Sequence, residues 1–190
     1  ENETISPSFE LPSPPPADLP VIRAEPEVMP AAPLDVVTIG LNFQGSELFV
    51  DSFSIPPDTM GAVGPNHIVQ MINGRFDVYS KTTGAQIFTR TLDGFWTTVV
   101  GLTIPTDTFD PRIVFDIASG RWFATSIDRG NGNNIYLGRS DTNDPTGDWD
   151  GVRFPADTVG VAEFHDYDTL SVDADGVYIC TNDFPGGIES

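Results

Sequence analysis

One strand–turn–strand phrase occurs three times along this chain, and each copy opens on an aspartate. Asp58-Thr59-Met60-Gly61-Ala62-Val63 leads through Gly64-Pro65-Asn66 into His67-Ile68-Val69-Gln70-Met71. Asp110-Pro111-Arg112-Ile113-Val114-Phe115 leads through Ala118-Ser119-Gly120 into Arg121-Trp122-Phe123-Ala124. Asp168-Thr169-Leu170-Ser171-Val172 leads through Asp173-Ala174-Asp175-Gly176 into Val177-Tyr178-Ile179-Cys180. The starts lie roughly 50 to 60 residues apart, a period in the range of β-propeller blades. The repeat therefore predicts an all-β chain, a β-propeller of four-stranded blades.

The segments between the phrases supply the outer strands. Arg75-Phe76-Asp77-Val78-Tyr79 and Ala85-Gln86-Ile87-Phe88 flank a loop in which Gly84 can take positive φ. In the second copy, strands are expected over 134–139 and 149–154, with Asp144-Pro145-Thr146-Gly147 as the turn signal between them. No segment reads as a convincing amphipathic helix. Gly61, Ala62 and Ser171 are small where inner strands would converge on a channel, whereas Arg112 and Ile113 break that pattern. About two and a half blades are present, and known rings use four or more. The expectation is therefore a longer native protein or completion of the sheet by a second polypeptide. The alternative architecture is an open β-sandwich burying the same hairpins face to face.

Residues 1–34 stand apart. Pro7, Pro12, Pro14, Pro15, Pro16, Pro20, Pro26, Pro30 and Pro33 deny this stretch helix and central strand and favour extended conformations. Glutamates keep it solvated, so it reads as an acidic arm or linker. An arm of this kind could dock on a neighbouring copy, making a homo-oligomer. Residues 35–190 read as the N-terminal part of the propeller-like domain, opening with one or two strands around Val36-Val37-Thr38-Ile39 and Leu41-Asn42-Phe43.

The 190-residue chain carries a formal net charge of -19, with 28 acidic residues against 9 basic ones. Such a balance repels nucleic acid and anionic membrane surfaces. Acidity of this kind suits exteriors rich in calcium or salt, and it also serves plain solubility. Cys180 is the single cysteine, so no intrachain disulfide can form; its apolar surroundings predict a buried, inert thiol. No stretch is long enough to span a bilayer. A start at Glu1 fits removal of an export signal, or a trimmed chain.

The string Pro57-Asp58-Thr59-x-Gly61-x-Val63-Gly64-Pro65-Asn66-His67-x-Val69-Gln70 resembles the opening phrase of a family of secreted bacterial β-propeller-like proteins, loosely described as sialidase-like. Asp110-Pro111-Arg112-Ile113-Val114-Phe115-Asp116 with Arg121-Trp122 is similar to the family's second phrase. Ser140 with Asp144-Pro145-Thr146-Gly147-x-Trp149 follows its outer turn, and Phe164-x-Asp166-Tyr167 with Leu170, Asp175-Gly176-x-Tyr178 and Thr181-Asn182-x-Phe184 follows its third. The resemblance covers about 57–184. It implies a propeller-like fold, export to the exterior or cell surface, and members that extend beyond this chain's end. One departure matters: the family's Asp-Tyr-Pro-Lys is here Asp166-Tyr167-Asp168-Thr169, with a carboxylate gained and a cation lost.

Asp58, Asp110 and Asp168 occupy equivalent places in the repeat and would share one face of a ring. With Asp166 and backbone carbonyls they could gather a Ca²⁺, which takes six to eight oxygens. The competing role for each is capping backbone N–H groups where the chain enters its inner strand. Asp173-Ala174-Asp175-Gly176 resembles the start of a calcium loop but equally reads as a tight turn, and the Asp141, Asp144, Asp148 and Asp150 run reads as a solvated face. His165 beside Asp166 could be oriented for proton transfer, yet no G-x-S-x-G motif accompanies it, and two isolated histidines make a poor zinc site. Glycoside hydrolysis needs two opposed carboxylates or, in sialidases, a tyrosine with an arginine cluster. Arg112 alone is no cluster, and Glu47 and Glu163 are the glutamates before the tail. The residues therefore point to a secreted, non-enzymatic module for binding, adhesion or surface assembly, with carbohydrate among its possible ligands. The alternative is a glycosidase or lyase whose site is completed by further blades.

Overall fold

The computed structural model describes residues 39–104, 106–130, 133–156 and 163–185. The arm, 1–34, lies outside them. Two four-stranded antiparallel meanders and one hairpin make up the fold. The first sheet runs β1 (Met60–Val63), β2 (His67–Ile72), β3 (Arg75–Ser80) and β4 (Gln86–Arg90), in that spatial order. The second runs β5 (Thr108–Asp116), β6 (Arg121–Asp128), β7 (Asn134–Ser140) and β8 (Trp149–Pro155). β9 (Glu163–Val172) pairs with β10 (Val177–Pro185). The chain is all-β as expected, and every hairpin anticipated from the repeat forms. None of the sheets closes on itself, an arrangement that also fits the open-sandwich alternative.

The first strands of successive units are neighbours: β5 packs beside β1 and β2, and β9 beside β5 and β6. Two asparagines tie these junctions. Asn73, after β2, accepts the Asp110 N–H at 2.7 Å, and Asn133, ahead of β7, accepts the His165 N–H at 2.6 Å. Each thus satisfies a backbone donor belonging to the next sheet.

Between the two meanders lies a core of Val69, Met71, Phe76 and Val78 from the first and Ile113, Trp122, Ala124, Tyr136 and Trp149 from the second. Alternation along the strands puts these side chains on one face. The connection between the sheets is helical, contrary to the all-strand expectation. A short α1 (Leu92–Gly94) widens into a π-helical turn, Phe95–Val99, closed by Val100 N–H to the Phe95 carbonyl at 3.0 Å. Thr91 Oγ1 caps it by accepting the Gly94 N–H at 3.0 Å. Leu92, Phe95 and Trp96, at helical spacing, enter the core, where Phe95 stacks on Phe76 at 4.3 Å and meets Trp149 edge-on at 5.0 Å.

Two further expectations are corrected. The strand expected around Leu41-Asn42-Phe43 does not form, while 36–38, the rest of that expectation, lie outside the described residues; Phe43 instead packs on Tyr79 at 5.0 Å, and Ser46 donates to Asp77 at 2.7 Å, so this segment covers the far face of the first sheet. Cys180 is exposed rather than buried, because no strand is placed beside the outer edge of β10 among the described residues.

Candidate functional site

Three of the four aspartates expected to act together do meet. Asp58, just ahead of β1, Asp110 on β5 and Asp166 on β9 line a single cleft of about 670 Å³. Each comes from a different sheet, and the adjacency of β1, β5 and β9 brings them to the same end. Asn73, Asp107, Arg129, Phe109 and Tyr167 complete the polar and aromatic parts of its wall. Asp168 does not line the cleft. It is fully buried on the second junction, accepting from the Thr125 hydroxyl.

Backbone conformation explains the difference. Asp58, Asp110 and Tyr167 take left-handed φ values of 44°, 47° and 49°. Tyr167 stands as far before its hairpin end, Val172, as Asp58 stands before Val63, and β5 and β9 carry the same bulge, with Asp110 and Pro111 between the paired Phe109 and Arg112 and with Tyr167 and Asp168 between the paired Asp166 and Thr169. The third structural counterpart of Asp58 and Asp110 is thus Tyr167. Asp168 is the second residue of its bulge, in the place of Pro111, and there its side chain turns into the interior. Positive φ at non-glycine residues is strained, and such strain is held only where surrounding contacts fix it. Asn73 provides them: its amide nitrogen donates to Asp58 Oδ2 at 2.6 Å and to the Pro56 carbonyl at 3.2 Å, while its oxygen takes the Asp110 N–H.

Burial holds the Asp110 carboxyl up to about 7, helped by the hydrogen-bonding Asp58 carboxylate and by the charges of Asp58 and Asp166. Burial also lifts Asp168, to about 6, against the pull of the Thr125 hydroxyl and of Arg112. The Arg112 guanidinium covers the Tyr167 ring at 4.2 Å, and its Nη2, like Asp168 Oδ1, has no hydrogen-bond partner among the described residues. Arg129 lies over Phe109 at 5.0 Å. Behind it, Asp128 accepts from the backbone and side-chain nitrogens of Asn134 and from the Tyr136 hydroxyl, a buried network that anchors the end of β6.

The chemistry of the carboxylates suits Ca²⁺, an oxygen-seeking cation. Among the described residues, however, no group of three or more His, Cys, Asp or Glu side chains is placed to hold one ion. The other acidic motifs are occupied locally. Asp173 Oδ1 accepts from the backbone of Asp175 and Gly176 within its own turn, at 2.8 and 3.0 Å, and Asp144 Oδ1 accepts from Thr146. His165 Nδ1 pairs with Asp183 at 2.7 Å rather than with Asp166, and His67 Nε2 lies 3.9 Å from Asp144.

Asn73, Asp107, Arg129 and Tyr167 were not singled out by the sequence. Asn73-Gly74 signals a turn, but nothing local says that the asparagine reaches another sheet. Comparison with family models, with curated proteins and with solved structures returned no match. Among the described residues no helix is long and apolar enough to cross a membrane.

Proposed function

We propose that this chain is a secreted, non-enzymatic β-propeller-like module that binds an extracellular, hydroxyl-rich ligand, with carbohydrate as the leading class, at the Asp58–Asp110–Asp166 cleft. The observation that carries this reading is the convergence of three carboxylates from three successive sheets beside an exposed aromatic ring, Tyr167. Carboxylates and the Asn73 amide suit hydroxyl groups, and the ring suits the apolar face of a sugar. The adjacency of the first strands and the repeated asparagine ties favour a radial arrangement of sheets. A Ca²⁺ ion bridging ligand and carboxylates belongs to the same proposal.

Titration calorimetry against a panel of soluble polysaccharides and sialosides tests it. Saturable binding is expected, weakened about fivefold or more by Tyr167→Ala through loss of stacking, roughly 1 kcal/mol or more. Absence of binding across the panel, or equal affinity in the variant, would overturn the reading.

A second reading, a glycosidase or lyase, draws on one observation: Asp110 keeps its proton close to neutrality, as a general acid does. Against it, Asp58 and Asp110 lie within hydrogen-bond reach, closer than the roughly 5–10 Å that glycosidic carboxylates require. Turnover of a panel member, abolished in Asp110→Asn, would reverse the preference.

A further inference from the structure

The buried aspartates of the described residues are, with one exception, matched by donors. Asp77 accepts from the Ser46 hydroxyl, Asp128 from Asn134 and Tyr136, and Asp168 from the Thr125 hydroxyl. Asp110 is the exception. Its backbone N–H goes to Asn73, but its carboxyl accepts from no N–H or hydroxyl of the described residues. The Asn73 amide hydrogens are committed, one to Asp58 Oδ2 and one to the Pro56 carbonyl. A buried carboxyl without a donor is costly to a fold, and this one, only 7% exposed, lines the cleft.

Its neighbours in the wall are in the same position. Asp166 on β9 and Asp107 ahead of β5 accept no hydrogen bond from the described residues, and Asp58 takes one, from Asn73. The ion pairs of those residues lie elsewhere: Arg75 with Asp51, Arg139 with Asp150, and the two histidine pairs. Arg129, the one cation lining the cleft, is held over Phe109. What the cleft lacks is therefore positive charge that brings several hydrogen-bond donors.

A bare metal ion answers that need poorly, since among the described residues no three of these side chains are placed to hold one ion. An ammonium on a hydroxyl-bearing ring answers it better. It carries three N–H donors, and the hydroxyls beside it add more, spread over the width of a sugar. Both aromatic rings of the wall already carry a guanidinium, Arg112 on Tyr167 and Arg129 on Phe109. The carboxylates, rather than those rings, are thus the place for a ligand's charge. An acidic sugar would instead meet repulsion from all of them.

We propose that the cleft selects an amino sugar, its ammonium seated among Asp58, Asp110 and Asp166 and its ring against Tyr167. This rests on the carbohydrate reading above and narrows it to the cationic members of that class. The ammonium takes the place that a bridging Ca²⁺ has for a neutral ligand.

Titration calorimetry with chelator present, at about pH 7, below the range of ordinary amines, tests this with two probes. One is a glucosamine tetrasaccharide and the other its fully N-acetylated counterpart, which keeps the rings and remaining hydroxyls but has no charge. The amine form is expected to bind at least about tenfold tighter, the scale of one hydrogen bond to a charged group. Asp166→Asn is expected to weaken the amine form about tenfold and to leave the acetylated form within about twofold. Should that variant fail to fold, salt decides on the wild-type chain. Between about 0.05 and 0.5 M NaCl the affinity for the amine form should fall several-fold, and an unchanged affinity overturns the inference. Equal or tighter binding of the acetylated form also overturns it, yet leaves the carbohydrate reading standing. Binding of a tri-arginine peptide where the amine form does not bind overturns it in favour of a basic protein partner. If neither tetrasaccharide binds, the selection of amino sugars is wrong, and the wider reading is judged separately on its own panel.

Discussion

Asn73 reaches two sheets with one side chain. It accepts from the Asp110 backbone, donates to the Asp58 carboxylate, and donates to the Pro56 carbonyl, while itself being 8% exposed. Removing a buried amide leaves its former partners without replacement water, which costs more than the bonds contribute when intact. Asn73→Ala is therefore expected to lower stability by about 2–3 kcal/mol. Urea unfolding monitored by tryptophan fluorescence measures it, and a loss below about 0.5 kcal/mol would show that Asn73 is not a structural tie. The site was partly legible at this scale. Asp58 and Asp110 stand out because a repeat places like residues in like positions. Asp168 misleads, because a one-residue offset is invisible in a list of aspartates yet sets it at the second place of a bulge, with its side chain in the interior.

At the scale of elements, the strands were legible and the connections were not. The repeated phrase and the turn residues mark most of the strands, since both are read directly along the chain. The helical link between the meanders carries its own local signal, the Leu92, Phe95 and Trp96 spacing, but it is too short to declare itself against the surrounding strands. Its stability comes from what it fills. Phe95 is fully buried between Phe76 and Trp149, joining both sheets through one ring. Phe95→Ala should cost about 3–5 kcal/mol, as for other buried aromatic truncations. Calorimetric unfolding would register this as a large fall in Tm; a fall of less than about 2 °C would mean that the link is a passive connector. The segment 39–47 illustrates the reverse error. Its apolar residues suggest a strand, yet they are used singly, Phe43 against Tyr79, with no ladder formed.

For the whole molecule, charge dominates. A formal net charge of -19 makes the compact state repel itself, and mobile salt screens that repulsion over about 8–10 Å at ordinary ionic strength. Raising NaCl from about 0.01 to 0.15 M, which shortens the screening distance from about 30 to 8 Å, should raise Tm. Thermal scans in a salt series measure this, and a flat or falling series would show that the charges are too dispersed to matter. Calcium at matched ionic strength separates a site from screening. Extra stabilisation at millimolar Ca²⁺, reversed by chelator, is expected of the cleft carboxylates, whereas identical curves would remove the cation from the functional proposal.

Periodicity and turn chemistry specified by themselves that this chain would be a succession of antiparallel hairpins, because those signals act between residues close in sequence. The excess of carboxylates, likewise, was plain without coordinates. Which carboxylates meet was decided only by tertiary structure. Left-handed backbone at Asp58, Asp110 and Tyr167, together with an asparagine reaching across a junction, directs three acids into one cleft and sends the fourth into the interior. Those outcomes depend on packing between sheets whose residues lie far apart along the chain, and no local pattern encodes that distance.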